Sequence, residues 1–465
     1  MRHFTAPLAA LALAGCTVGP NYHLPTQAAI NRPAAQGALS GTDSLTSPDP
    51  LPPRWWALYD DPVLNGLEEQ ALAANTDLRI AGANLARSAA MVRATKGAGD
   101  PQLAVDAAVQ RARLSGESFL KFETIPVATL GEGSAELSYQ VDLFGQIRRR
   151  VEAAKAEHEA TEALVGAVRV TVAAEVARAY VSVCGGNEAL AMAQDAADTQ
   201  GRIADAAQRL QAAGKTGATD VTRARMLALD AQARLPGARA QVQAGLYRLA
   251  FLLGRAPGDY PREAETCHAL PRLQHPLPIG NGAALLARRP DVRAAERKLA
   301  AATADIGAAK ADLYPHVSIG MGGGTLGLIG DLATAMAGHW ALGSMISWAF
   351  PTRAAHARVD AANAGADRAL ADFDGTVLRA LRETETALVW YRENHNRAVA
   401  LDDARAQAAT LADQTQRLHQ AGKADLQGAL GSRILLIDAQ DKARAAQDAV
   451  AESQIDLFLA LGGGW

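Results

Sequence analysis

From Pro101 onward the apolar positions recur every second residue. Leu103, Val105, Ala107 and Val109 alternate with Gln102, Ala104, Asp106 and Gln110. Further on, Leu137, Tyr139, Val141 and Leu143 alternate with Glu136, Ser138, Gln140 and Asp142. The pattern returns much later, with Val317, Ile319 and Met321 against Ser318, Gly320 and Gly322, and with Trp340, Leu342, Ile346, Trp348 and Phe350 sharing a face. A period of two predicts strands, so the chain is expected to carry two β-hairpins, about 101–143 and about 316–350. Strands of about ten residues with one apolar and one polar face fit a lipid-spanning barrel. A half-buried soluble sheet fits the same pattern. Four strands do not close a barrel, so the barrel reading requires further copies of the chain.

Between and after the hairpins the period is helical. The stretch 65–96 reads as one helix, broken by Asp100-Pro101. Long helices are expected at about 146–254 and about 352–461, because no proline occurs between Pro126 and Pro236 and none after Pro351. Leu164, Val168, Val172, Val176, Tyr180 and Val183 form an apolar stripe on the first; Val377, Leu381, Thr384, Leu388 and Tyr391 step by fours and threes on the second, as in a coiled-coil seam. A helix of about 65 residues would run roughly 100 Å at 1.5 Å per residue. The glycines of Cys184-Gly185-Gly186-Asn187 are expected to interrupt the first of these midway, and Pro236 to kink its return helix. Both long helices end at Ala-Gly-Lys, where Gly214 and Gly422 suit a left-handed stop.

The two halves are copies. "RLQAAGKTGATDVTRARMLALDAQ" from Arg209 aligns with "RLHQAGKADLQGALGSRILLIDAQ" from Arg417, 208 residues later. "DLRIAGANLARSAAMVRATKGAGDPQLAV" from Asp77 aligns with the segment from Asp291, 214 residues later. Known short-period repeats have units of about 20–50 residues, so this is a duplicated domain half. The organisation expected is a first repeat at 63–255, a linker at 256–285, a second repeat at 286–461 and a tail at 462–465. Each repeat reads helix, β-hairpin, long helix, tight turn, long helix: a fold mainly α with β.

Composition narrows the classes. The 465 residues are 49% hydrophobic and 20% charged, with net charge −3. That balance offers no broad basic footprint, so no nucleic-acid partner is expected. No apolar run reaches the roughly 18 residues a membrane helix needs, so any membrane crossing must be a closed β-barrel. Residues 1–15, with one early Arg and a short apolar stretch, read as a signal peptide. They end in Leu-Ala-Gly before Cys16, which resembles a lipobox; Cys16 would then be the lipidated first residue of an extended segment, 16–62, rich in Pro, Ser, Thr and Gly. Export implies an oxidising compartment. This favours a bridge between the two remaining cysteines, Cys184 and Cys267, although two unrelated buried thiols fit as well.

Catalytic signals are poor. Gly322–Gly327 formally matches Gly-x-Gly-x-x-Gly, but a dinucleotide site needs an acid about 20 residues further on. After Asp331 the next acid is Asp360, so a hairpin loop is expected there instead. The ten histidines lack metal-ligand spacing and no Gly-x-Ser-x-Gly elbow occurs, so neither a metal site, a catalytic residue nor an enzymatic activity is expected.

The stretches "WWALYDDPVLNGLEEQALAANTDLRIAGANL", "YQVDLFGQIRRRVEAAKAE", "RRPDVRAAE" (288–296) and the terminal "LGGGW" are similar to those of TolC-like outer-membrane efflux proteins. The branch they resemble is the NodT, or outer-membrane factor, lipoprotein family, over essentially the whole mature chain. The resemblance implies a homotrimer whose hairpins form a twelve-stranded barrel in the outer membrane, continuous with a periplasmic α-helical barrel. It implies a passive exit duct for small molecules, docked on a periplasmic membrane-fusion adaptor and an inner-membrane efflux pump. Residues 256–285 would belong to an equatorial region. Cys16 would carry diacylglycerol and N-palmitate, Thr17 would favour sorting to the outer membrane, and no cofactor is implied. The Ala-Gly-Lys turns would sit at a constricted periplasmic tip. The family's Leu-Asp-Ala-Gln-Arg run would place its Asp near Gly431 here, so Asp220, Arg223, Asp425, Leu426, Leu430 and Arg433 become the candidates for the constriction. Ordinary charges solvating a helix end fit the polar ones equally. A lipid-anchored periplasmic adaptor or coiled-coil scaffold is the alternative function; such a protein is expected to carry one helical hairpin and a compact lipoyl-like β-domain.

Overall fold

A computed structural model describes residues 17–40, 44–113, 115 and 124–463. The signal peptide and Cys16 lie outside the described residues, as does the side chain of Leu426. The chain divides into two compact units, one of residues 1–25, 85–161 and 294–373, the other of 26–84, 162–293 and 374–465. Helices α1 (Pro62–Ala74) and α2 (Thr76–Gly97) lead to strands β1 (Gln102–Ala112) and β2 (Ala128–Val141), then to helices α3 (Gln146–Ala212) and α4 (Ala218–Leu252). After the short α5 (Gly282–Arg288) the order repeats: α6 (Pro290–Ala311), β3 (His316–Leu328), β4 (Gly338–Ser347), α7 (Arg353–Gln420) and α8 (Leu426–Ala460). Corresponding helices match in length: 22 and 22 residues for α2 and α6, 67 and 68 for α3 and α7, and 35 each for α4 and α8.

In the first unit the strands form one antiparallel sheet in the order β1-β2-β3-β4. Register places Leu103, Leu137, Met321 and Leu342 side by side across all four strands, and Val105, Ala135, Gly323 and Trp340 in a parallel row. Residues directly opposite one another share a face, so these rows make one apolar surface. Its large side chains are exposed, Leu103 at 67% and Trp340 at 82%. The row between them holds Ala104, Glu136, Gly322 and Ala341, and the rows flanking them hold Gln102, Ser138, Gly320 and Gly343, and Asp106, Ser134, Gly324 and His339. The sheet is therefore apolar on one side and, over its central rows, polar or glycine-lined on the other.

Two sequence expectations are corrected here. Gly322–Gly327 is not a hairpin loop: it lies inside β3, and the connection is 329–337. The reason is packing, since a Cβ on Gly324 would collide with the carbonyl of Gly133 and with Ser134 on β2. Leu143, Trp348 and Phe350 fall beyond the strand ends, at Val141 and Ser347. Their alternation extends the strand pattern past the last ladder hydrogen bond.

The same unit anchors the chain's first described residues. Val18 donates its N–H to the carbonyl of Phe144 at 3.2 Å. Arg149, 3% exposed, donates to the carbonyls of Val18 and Gly19 and to Asn21 Oδ1. Gly19, at φ +92°, lies directly against Gly307 of α6, a contact no larger residue permits.

The second unit holds the main core. Trp55 stacks on Phe458 at 4.4 Å, with Leu64, Leu67, Leu246, Leu249, Ile455 and Leu457 fully buried around them. The leader lies against this body: Ala29 N–H donates to Asp374 Oδ1 at 2.7 Å, and Ser40 N–H to Glu385 at 3.0 Å. Thr46–Ser47 pairs in parallel with Leu277–Pro278.

Here too the structure departs from expectation. The helix expected over 65–96 is two helices, because Asn75 ends one and caps the next. Its N–H donates to the carbonyl of Ala71, its Oδ1 accepts from Asp77 and Leu78, and its Nδ2 donates to the carbonyl of Leu252 at 2.9 Å. The break expected at Gly185-Gly186 is absent; α3 runs through it. These glycines permit close packing instead: a Cβ on Gly185 would press on Asp448, and one on Gly186 on Val242. Pro236 lies inside α4, which continues from Ala218 to Leu252.

Candidate functional site

Each hairpin of long helices turns through the same five-residue connection. Helix α3 stops at Gly214 and α7 at Gly422, both at φ +69°. Lys215 N–H reaches back to the carbonyl of Leu210 at 2.8 Å, and Lys423 N–H to that of Leu418 at 2.8 Å. These six-to-one bonds cap the last carbonyls of a helix whose next residue is left-handed, so one sequence repeat has produced one geometry twice.

The two turns meet. Gln427, in the first turn of α8, donates to Asp220 Oδ1 at 3.3 Å, while Thr216 donates to Asp220 Oδ2 at 2.7 Å. These hydrogen bonds, Thr216 first, hold the Asp220 carboxyl below the usual carboxylate range, with the positive charge of Arg223 adding to the effect. Arg223 itself is exposed. Asp425 caps α8 by accepting the Gly428 N–H at 2.9 Å. Leu430, 4% exposed, packs into the body of the hairpin. Arg433 reaches Asp195 on α3 at 3.6 Å. Across the two turns the structure thus brings Asp220 together with Gln427, and within its own turn with the candidate Arg223; Gln427 carries no signal in either turn read alone.

Above the turns, ion pairs tie the first hairpin to α8. Arg178 pairs with Asp456, and Arg234 with Asp441. Cys184 of α3 is joined to Cys267 by a disulfide, with Cα atoms 4.9 Å apart. Asn187, one turn on, donates to the carbonyls of Glu265 and Cys267 at 3.0 and 2.7 Å. The segment 256–285 is therefore fastened to the long helix both covalently and through backbone carbonyls.

The "RRPDVRAAE" segment acquires a physical role. Arg289, 8% exposed, opens α6 and donates to Asp291, to Glu383 on α7 and to the carbonyl of Ala460 at the end of α8. One guanidinium fork joins three helices where the second hairpin closes.

An exposed apolar sheet face opposite a polar one is the arrangement of a membrane-inserted barrel wall. The comparisons with known proteins agree. The family described as "Outer membrane efflux protein" matches residues 67–255 and 282–463. Outer membrane protein OprJ of Pseudomonas aeruginosa is 28% identical, with 99% of this chain and 95% of that one aligned. Nodulation protein T of Rhizobium leguminosarum bv. trifolii is 27% identical over 99% of this chain and 97% of its own. Among solved structures, the outer-membrane channel OprN superposes with a TM-score of 0.87 at 31% identity, covering 97% of this chain and 100% of that one. The adaptor or scaffold alternative falls to these matches, since they run the length of a channel protein: the chain belongs to the outer membrane efflux protein family.

Proposed function

We propose that this chain is the outer-membrane exit duct of a tripartite efflux system, receiving small molecules from a periplasmic adaptor and an inner-membrane pump. The observation that carries the reading is the sheet. Its two faces differ in polarity as a membrane barrel requires, and its edge strands, β1 and β4, each have one side without a partner strand among the described residues. Four strands do not close on themselves, so three copies supply the twelve strands of a barrel, with the apolar rows facing lipid and the glycine-lined rows facing the lumen. Conduction is passive. No bond is made or broken by the chain and no cofactor takes part; energy enters at the pump.

Cys16 carries the lipid anchor in this proposal, supported by the Leu-Ala-Gly-Cys sequence and by the docking of Val18 and Gly19 beside the strand ends. The two hairpin turns form the periplasmic constriction. Asp220 and Arg223 expose charge there, whereas Asp425 and Leu430 act by shaping the turn and Arg433 by bracing it. Electron microscopy of protein extracted from outer membranes in detergent tests the whole reading. A hollow threefold particle with a barrel at one end is expected; a monomeric particle, or a filament without a barrel, would end it.

A further inference from the structure

We propose that the groove between Tyr22, the end of α2 and the first turns of α3 seats the headgroup of an anionic phospholipid in the periplasmic leaflet. The inference rests on the membrane-spanning reading of the sheet and adds a lipid partner to it. The apolar rows of the sheet run out at Val141, Val317 and Ile346. Immediately beyond them come aromatic rings. Phe144 stacks on Tyr314 at 4.5 Å, and Trp348 lies against Phe350 at 4.4 Å while its indole N–H donates to the carbonyl of Leu313. Amphipathic rings collect at the level of lipid headgroups, which marks the height at which the groove begins.

The groove, about 630 Å³, has Ile147 and Val151 in its wall and Lys96, Arg148 and Lys155 along its length. Its carboxylates are already engaged. Glu152 takes the buried Arg149 at 2.7 Å, and Glu159 takes Arg297 at 3.3 Å; Arg297 also stands over the Tyr22 ring. Arg148 holds Asp142 at 3.3 Å. Lys96 and Lys155 are exposed and make no ion pair among the described residues. The groove is thus left with two uncompensated ammonium groups above an apolar wall.

Exposed lysines on a helix are ordinarily explained by solvation alone. Here the setting differs: the two lysines flank an apolar wall at the level the aromatic rings mark, in a groove whose carboxylates are taken. The end of α3 is already served by Asp142, which accepts the N–H groups of Ile147 and Arg148 at 3.0 Å, so only the lysines are left for a ligand. An anion in the groove relieves them. A phosphate joined to an apolar body satisfies the amines and the wall together, whereas a free phosphate satisfies only the amines.

The test uses full-length purified protein, floated with vesicles of phosphatidylcholine alone or with added phosphatidylglycerol, and native mass spectrometry of the lipid retained in detergent. Phosphatidylglycerol should be retained in preference to phosphatidylcholine. Each lysine near an anionic surface changes lipid binding by about five-fold, so the Lys96→Ala/Lys155→Ala variant should lose roughly 25-fold, while Lys442→Ala, on another exposed helix face, should lose nothing. Equal retention of the two lipids, or an unchanged double variant, overturns the proposal; so does displacement by inorganic phosphate as complete as by phosphatidylglycerol, which would mean an anion site without a lipid. Protein that fails to enter even neutral vesicles would instead overturn the membrane-spanning reading beneath it.

Discussion

Arg289 donates to the carbonyl of Ala460 at 2.8 Å, joining positions 171 residues apart in sequence. The same guanidinium holds Asp291 and Glu383, two carboxylates that would face one another without it. The guanidinium is buried but Asp291 and Glu383 are 34% and 37% exposed, so removing it should cost less than the roughly 3–5 kcal/mol of a fully buried pair. Arg289→Ala should lower the unfolding temperature in detergent, and Arg289→Lys should recover only part of it because an ammonium lacks the planar fork. A variant as stable as the parent would remove Arg289 as the clamp.

The crossing of β2 and β3 depends on Gly324. Any Cβ there meets the backbone of Gly133 and Ser134, and overpacking costs about 1–3 kcal/mol per site. Gly324→Ala should reduce the fraction of protein assembled in the outer membrane, measured by heat-dependent mobility on gels. Gly330→Ala, where a Cβ meets nothing within 4 Å, should leave assembly unchanged.

Glu68 is fully buried on α1 and both its carboxyl oxygens lack a partner among the described residues. Burial holds its pKa well above 4.5 in the fold. The unfolded chain releases this proton near the ordinary value and the folded one keeps it, so stability falls as pH rises from about 4.5 toward the raised value. A buried polar group left without a partner costs about 1–3 kcal/mol, which an apolar side chain of similar size avoids. Glu68→Met should be more stable than the parent at neutral pH, and the gap should narrow on acidification; a gap independent of pH would mean the carboxyl is not the cause.

The bridge between Cys184 and Cys267 spans 83 residues. Closing a loop of that size stabilises by roughly 4–5 kcal/mol on chain-entropy grounds. Reductant, or the Cys184→Ala/Cys267→Ala pair, should lower the melting temperature and expose 256–285 to protease. The reduced form melting with the oxidised one would show that Asn187 and the surrounding packing suffice.

At the hairpin turns, Gln427→Ala removes one donor to Asp220 and the only hydrogen bond described between the two turns. The contact is exposed, so its loss should show in the balance between closed and open turns rather than in the stability of the fold. Larger or more frequent openings in single-channel recordings are expected, with Asp220→Asn changing cation preference as well. Recordings identical to the parent would place the constriction elsewhere.

Much of this architecture was legible in the sequence because it is periodic or duplicated. The strands showed in the alternation around Leu137 and Met321, and the turns in two copies of Ala-Gly-Lys. Single-sequence reading faltered wherever one residue acts through a distant partner. Asn75 looks like any helix-interior polar residue until Leu252 is seen beside it. Gly185 and Gly324 read as breakers because glycine weakens isolated elements, whereas here each makes room for a neighbouring element, Asp448 of α8 and the backbone of β2. Gln427 was invisible for the same reason, its partner lying 207 residues away.

The paired helix lengths, 67 with 68 and 35 with 35, have a further consequence. Each residue added to one helix moves its turn by about 1.5 Å. The one-residue difference between α3 and α7 is absorbed, whereas a full turn of about 5.4 Å added to one hairpin alone would carry its turn past the other and part Gln427 from Asp220. The chain therefore carries its own length standard, each hairpin measuring the other.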